Sequence, residues 1–327
     1  MITTAILFIL GFIFLIKGAD IVIDGSSSIA KKFGLSSFFI GLTIVAFGTS
    51  APELVVSVTA NFKGSSGIAL GNIIGSNITN TLLILGIVAL IAPLVIKRRT
   101  IHKEIPYSLL AILAVGILSN DFLIVHVSPD GLNRIDGLML LLFFIIFVFY
   151  TFGISREEEN IFQKTVGEIK NKEAKEYNVF LSIVMILIGL IGLIIGGQWI
   201  VEGAIYIAEY FNFSQVFIGL TVVAIGTSLP ELAASGMAAY RGQTDMAVGN
   251  VVGSNIFNFL LILGVSSTIK PIHYNIDLNI DILILLVVTI MLLPLIYIGK
   301  KNIIGRWEGI ILLSFYVVYF GFLILRG

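Results

Sequence analysis

At an offset of 178 residues this chain repeats itself: LTIVAFGTSAPEL (42–54) aligns with LTVVAIGTSLPEL (220–232), and GNIIGSNITNTLLILG (71–86) with GNVVGSNIFNFLLILG (249–264). Across 36–86 the two copies share 30 identities in 51 positions without a gap. Chance likeness between apolar segments does not produce this, because the coinciding positions include the polar residues and the glycines. The same offset pairs Gly11 with Gly189, Gly18 with Gly196, Asp24-Gly25 with Glu202-Gly203 and Pro93 with Pro271. Arg134-Ile-Asp-Gly and Arg306-Trp-Glu-Gly correspond at an offset of 172, which places about six extra residues between Asn120 and Asn133.

Hydropathy decides the solvent in which the repeat folds. With 57% hydrophobic residues, 12% charged residues and a mean hydropathy of +1.04, the chain needs lipid. A helix crosses the hydrocarbon core in roughly 20 apolar residues. Ten runs of that order lie near 3–29, 36–61, 67–92, 104–126, 136–153, 179–208, 214–239, 245–269, 278–298 and 305–325. The first has no basic leader, its first lysine is Lys17 and hydrophobicity resumes through Ile23, so it reads as a retained span and not a cleaved signal. Each copy then holds five spans. Five is odd, so the second copy enters the membrane from the opposite face. The expected fold is an all-α membrane protein of ten transmembrane helices in two inverted five-helix repeats, the architecture of secondary transporters with a midplane site; channels can also have repeats.

The long polar stretch 154–178, rich in charges of both signs, reads as a surface helix or a disordered linker. It divides a first repeat over 1–153 (duplicated motif about 36–90) from a second over 179–327 (about 214–268). Loops after the odd-numbered spans hold fifteen Lys and Arg, those on the other side Lys63, Arg134, Lys270 and Arg326. Cytoplasmic loops carry the basic excess, so both termini are expected outside a plasma membrane and the linker in the cytoplasm. The zero formal net charge and scattered basic residues give no nucleic-acid-binding patch. Without cysteine there is no disulfide, thiol catalysis or thiolate metal site. No obligate protein partner is evident.

An ionisable residue deep in a span costs about 3 kcal/mol on insertion scales. Glu53 and Glu231 sit mid-span in the same setting, Gly-Thr-Ser-x-Pro-Glu, with no Lys or Arg in the same spans. A protonated Glu bonded to backbone is the bland explanation, which the symmetric duplication disfavours. Pro52 and Pro230 cannot donate to the carbonyls of Gly48 and Gly226, so each helix is expected to break and leave carbonyl oxygens free. Irregular backbone at membrane depth survives where it is buried in protein or lines a wet cavity. Thr49 and Thr227 precede the glutamates by four residues, on one face if the helix persists; Ser50 and Ser228 lie close by, and Ser57 and Ser235 continue that face.

In the second motif, Ser76 and Asn80, and equally Ser254 and Asn258, stand at i, i+4 and make one oxygen-bearing stripe per copy. Gly71, Gly75, Gly249 and Gly253 suit close helix packing. Asn72, Asn77, Asn250 and Asn255 read as either ligands or backbone caps. Oxygen donors without Cys or His select hard ions such as Ca²⁺, Na⁺ or Mg²⁺, and a flexible cage suits Ca²⁺ better than Mg²⁺. Two carboxylates are balanced by one Ca²⁺, two Na⁺ or two protons, so one cavity holds either cargo in turn. Asp20, Asp24 and Glu202 read as interfacial charges on the cytoplasmic side. His102, His126 and His273 lie at loops or span ends, and none resembles a catalytic base.

These paired segments resemble the two α-repeats of the cation/calcium antiporter superfamily, and specifically its prokaryotic sodium/calcium exchanger branch. The resemblance covers the whole chain, although the linker is far too short for the regulatory calcium-binding domains of animal exchangers. It implies four sites in a diamond: Glu53 and Glu231 bind Ca²⁺ with the carbonyls of Thr49 and Thr227. Sodium sites would fall on Ala46, Thr49, Ser50 and Ser76 on one side and Ala224, Thr227, Ser228 and Ser254 on the other, with Asn80 and Asn258 completing the centre. Some members place an Asp at one of those two positions. Asn at both removes a third carboxylate and argues against potassium dependence. Spans one and six would slide across the rest.

The expected function is a secondary active antiporter, not an enzyme, exchanging Na⁺ for Ca²⁺ by alternating access; the resemblance suggests three Na⁺ per Ca²⁺, hence electrogenic exchange. It needs no prosthetic group, and its partners are the two ions and the lipid bilayer. The alternative is a Ca²⁺/H⁺ antiporter using the same two glutamates, since a desolvated Glu can carry a proton. A Glu-lined cation channel is disfavoured by the inverted repeat, and an intramembrane hydrolase by the lack of a nucleophile and base.

Overall fold

A computed structural model describes residues 2–120, 131–165, 176–210, 224–298 and 302–326. The described residues are almost all helical. The first copy contains α1 (Ile2–Phe33), α2 (Ser37–Thr49), α3 (Ala51–Phe62), α4 (Ser66–Ile91), α5 (Thr100–Leu118) and α6 (Arg134–Thr165). The second contains α7 (Val179–Tyr210), α8 (Ala224–Thr227), α9 (Leu229–Tyr240), α10 (Thr244–Ile269), α11 (Leu278–Ile298) and α12 (Arg306–Arg326). Gly34 ends α1 and the equivalent Gly64 and Gly242 follow α3 and α9, each in the left-handed region that a helix C-terminus favours for glycine (φ 62°, 81° and 76°).

Among the described residues eight helices are long and apolar enough to cross a membrane, and the bent pair α2–α3 makes nine. The expected span 214–239 begins outside the described residues; α8 and α9 are its described part. His126 and the extra loop residues 121–130 also lie outside them, as do linker residues 166–175 and Lys300 and Lys301. Helix α6 does not stop at 153 but runs on to Thr165, because no Gly or Pro interrupts 154–165. Beside the linker's far end, Glu176 binds Lys31 at 2.5 Å, and this bond holds the exposed carboxyl below its ordinary range.

Helices α4 and α10 form the inside, with 78% and 83% of their most apolar stretches buried, against 22–44% for the other long spans. Large apolar side chains cover the outer faces, among them Ile9, Ile13 and Ile16 of α1 and Leu283, Val287 and Ile290 of α11. Such faces are at home against lipid tails.

Helices α1 and α7 cross antiparallel along a seam of small residues. A methyl at Gly11 would sit 2.8 Å from the carbonyl oxygen of Gly196, at Gly18 2.7 Å from that of Gly189, and at Gly25 2.8 Å from that of Ser182. Backbones approach this closely only where side chains are absent. The antiparallel crossing corrects one expectation. Glu202 does not share an end with Asp20 and Asp24: its neighbour Gly203 meets Phe8, whereas Gly25 meets Ser182.

Two short ladders, unannounced by the sequence, tie the copies together. β1 (Leu94–Val95) pairs with β4 (Ile303–Ile304), and β2 (Gly131–Leu132) with β3 (Ile272–His273), both antiparallel. Each ladder joins one strand of the first copy to one of the second, so the two copies exchange equivalent contacts about an approximate two-fold axis.

Candidate cation site

The expected breaks are present. Ser50 leaves helical geometry at φ −81°, ψ 6°, Ser228 does so at φ −88°, ψ 6°, and α2 meets α3 at 43°. Pro52 and Pro230 occupy the first turn of the helices that restart, where a missing N–H costs nothing. Glu53 and Glu231 therefore ride in the first turns of α3 and α9, and are 1% and 0% exposed.

The breaks face each other. Ser50 Oγ donates across the pseudo-two-fold to Glu231 Oε1 (3.0 Å), and Ser228 Oγ reaches Glu53 Oε1 (3.5 Å). From the stripes, Ser76 Oγ donates to Glu53 Oε1 (3.3 Å) and Ser254 Oγ to Glu231 Oε1 (3.5 Å). Each carboxylate thus receives one serine from either copy on the same oxygen. Its second oxygen, Oε2, has no hydrogen-bond partner among the described residues, and neither have Asn80 Oδ1 and Asn258 Oδ1. Among the described residues no Lys, Arg or His forms an ion pair with either glutamate. The other buried acids among the described residues differ: Glu104 binds Arg99 (2.7 Å), Asp281 binds Arg326 (2.8 Å) and Tyr319 (3.2 Å), and Asp136 accepts the backbone N–H of Asn133 (2.8 Å).

Four buried acceptor oxygens without donors are expensive unless something positive satisfies them. They come as two equivalent pairs, all oxygen, which suits a hard cation.

The helices do not persist through Ser50 and Ser228, so the condition for placing each threonine on one face with its own glutamate is not met. Thr49 Oγ1 lies 3.3 Å from Asn250 Oδ1 and Thr227 Oγ1 lies 3.3 Å from Asn72 Oδ1, each across the copy boundary. Asn72 and Asn250 also donate to Ser57 Oγ (3.1 Å) and Ser235 Oγ (2.9 Å), so all four brace the broken helices. The carbonyl of Ala46 already accepts the Ser50 N–H at 3.0 Å. Ala224 begins α8, and its side chain lies outside the described part. Gly249 and Gly253 admit close approach, a methyl at Gly253 falling 2.5 Å from the Leu42 carbonyl oxygen. The partners equivalent to these for Gly71 and Gly75 fall within 214–224, at the edge of or outside the described residues. Sequence reasoning missed the widened π-helical turns Thr79–Ile84 and Phe257–Ile262, which carry Asn80 and Asn258 and stand at equivalent places in the two copies. Their duplication is the only signal that could have marked them, since π turns cluster at functional sites.

Residues 3–153 and 181–325 match the family model for sodium/calcium exchanger protein. The chain belongs to this family. It is 34% identical to the sodium/calcium exchanger MaX1 of Methanosarcina acetivorans over 96% of both chains. It is 38% identical to the membrane protein MJ0091 of Methanocaldococcus jannaschii over 95% of both. The fold matches a solved structure of the sodium-calcium exchanger NCX_Mj with a TM-score of 0.79 and 35% identity, covering 97% of each chain. As a sodium/calcium exchanger family member the chain is a multi-pass membrane transporter, not an enzyme, and the family moves Na⁺ and Ca²⁺ without a prosthetic group.

Proposed function

We propose that this exchanger-family chain is an antiporter that carries Ca²⁺ one way and Na⁺ the other through the single site between its two helix breaks. The observation that carries the reading is the set of four unpartnered buried oxygens, Glu53 Oε2, Glu231 Oε2, Asn80 Oδ1 and Asn258 Oδ1. The two carboxylates balance one Ca²⁺. Thr49, Thr227, Ser50, Ser228, Ser76 and Ser254, with the carbonyls of Ala46 and Ala224, extend the oxygen set to Na⁺. Because one charge of −2 serves both cargoes, occupancy by one excludes the other, and exchange follows.

The antiparallel crossing of α1 and α7, together with the reciprocal contacts of the two copies, supports ten spans in two inverted repeats, 1–153 and 179–327. The glycine seam gives α1 and α7 a smooth track for alternating access. The basic loops support a plasma-membrane orientation with both termini outside and 154–178 cytoplasmic. Carriage of protons by the same glutamates is the competing reading.

The test is ⁴⁵Ca²⁺ uptake into proteoliposomes, with an outward Na⁺ gradient or a pH gradient of matched size. Uptake driven by Na⁺, and altered by an imposed membrane potential, is expected. Uptake driven only by the pH gradient would overturn the sodium assignment.

A further inference from the structure

Four asparagines and one threonine form a network between α4 and α10 whose direction can be deduced from its ends. Asn77 Nδ2 donates to the backbone carbonyl of Asn255 (3.2 Å). A carbonyl only accepts, so Asn77 must turn its nitrogen that way and its oxygen the other. That oxygen receives Asn258 Nδ2 at 2.9 Å, and Asn258 Oδ1 is the atom left unpartnered. The second route begins likewise. Thr81 Oγ1 donates to the backbone carbonyl of Asn77 (2.8 Å), so its lone pairs are what remain for Asn255 Nδ2 (2.9 Å). Asn255 Oδ1 then receives Asn80 Nδ2 (3.1 Å), and Asn80 Oδ1 is left.

Reversing any one amide would set nitrogen against nitrogen or oxygen against oxygen in a buried place. Asn77, Thr81, Asn80 and Asn258 are no more than 1% exposed and Asn255 is 8% exposed, so water offers little compensation. The two copies reach the same end by different means: the first anchors directly, whereas the second needs the hydroxyl of Thr81, a position that is Phe259 in the other copy.

We propose that Asn77, Asn255 and Thr81 are positioning residues that commit Asn80 and Asn258 to present oxygen to the cation, and that the same network keeps the site at a formal charge of −2. A carboxylate at position 258 would meet Asn77 Oδ1, and one at position 80 would meet Asn255 Oδ1, acceptor against acceptor. The inference rests on the reading of Glu53, Glu231, Asn80 and Asn258 as the cation's ligands.

Its test is ⁴⁵Ca²⁺ binding to the purified full chain, with KM and maximal exchange rate measured in proteoliposomes. Asn77→Leu, which removes the acceptor that fixes Asn258, is expected to lower Ca²⁺ affinity about tenfold, the scale of a buried polar group losing its partner. KM should move more than the maximal rate. Asn258→Ala should lower affinity similarly, and the double variant should be no worse than Asn258→Ala alone, because Asn77 acts only through Asn258. Thr81→Val is isosteric and decides the matter if Asn77→Leu does not fold: about threefold weaker binding is expected, with no further loss when Asn80→Ala is added. Wild-type affinity in the tested positioning variant, or additive losses in either cycle, would overturn the proposal. Glu53→Gln separates the two readings. If it leaves Ca²⁺ binding intact, the site itself is wrong; if it removes binding while the cycles are additive, only the positioning role falls.

Discussion

The centre of the molecule and the ends of the α1/α7 pair treat the duplication differently. At the centre the serine and threonine contacts have counterparts: Ser50 with Glu231 and Ser228 with Glu53, Thr49 with Asn250 and Thr227 with Asn72. At one end of the pair, Arg241 after α9 binds both Asp20 and Asp24 of α1, and Ser27 Oγ donates to Gln243 Oε1 (2.9 Å). The equivalent positions at the other end are Lys63, Gln198 and Glu202. There Gln198 Nε2 donates to Glu202 Oε1 (3.0 Å), and Lys63 makes no ion pair among the described residues. Helix α1 packs along α9, whereas α7 has no comparable packing along α3 among the described residues. Reciprocal contacts at the core are therefore combined with ends that, among the described residues, are fastened on one side only.

The largest expected effect tests the equivalence of the centre. Glu53→Gln and Glu231→Gln should each reduce ⁴⁵Ca²⁺ exchange more than about 100-fold, since a mid-membrane carboxylate is retained for function. Near-normal flux in one variant alone would break the symmetry of the site. Next, Gly18→Val and Gly196→Val, equivalent positions whose methyl would lie 2.7 Å from a carbonyl oxygen, should each cost about 1–3 kcal/mol in thermal denaturation in detergent. Unequal losses would show that the seam is not shared evenly.

The smaller effects concern the ends. Because the natural chain has no cysteine, Ser27→Cys supplies a single label site beside the fastening. Adding Arg241→Gln should raise its thiol labelling rate about fivefold, the scale expected for two partly exposed ion pairs. Unchanged labelling would mean that the pairs do not hold α1. Lys63→Gln should change the exchange rate less than about twofold, because no ion pair is lost. A larger effect would reveal that Lys63 binds α7 elsewhere in the transport cycle.

Much of the fold was legible because membrane insertion imposes long apolar runs that bury their own backbone polar groups. The limits of α4, α7, α10, α11 and α12 fall within two residues of those expected. Helices α1, α5 and α6 end elsewhere than expected, because apolarity marks where lipid begins but not where a helix stops. The site was legible as residue types: duplicated Glu, Pro and Asn at fixed spacing announce broken helices and oxygen donors.

By itself, then, the sequence determined that two like units share a membrane, where each helix breaks, and which side chains bring oxygen to the centre. These are local or repeated properties, set by hydropathy, proline chemistry and spacing. Only the tertiary structure decided which copy completes which carboxylate, that Thr49 reaches Asn250 across the copy boundary, that Asn77 and Thr81 bond backbone carbonyls at the ends of the amide network, and that Arg241 binds Asp20 and Asp24. Each of those outcomes depends on two groups more than 170 residues apart in sequence, or on the direction of a hydrogen bond. Neither is specified until packing fixes the distances.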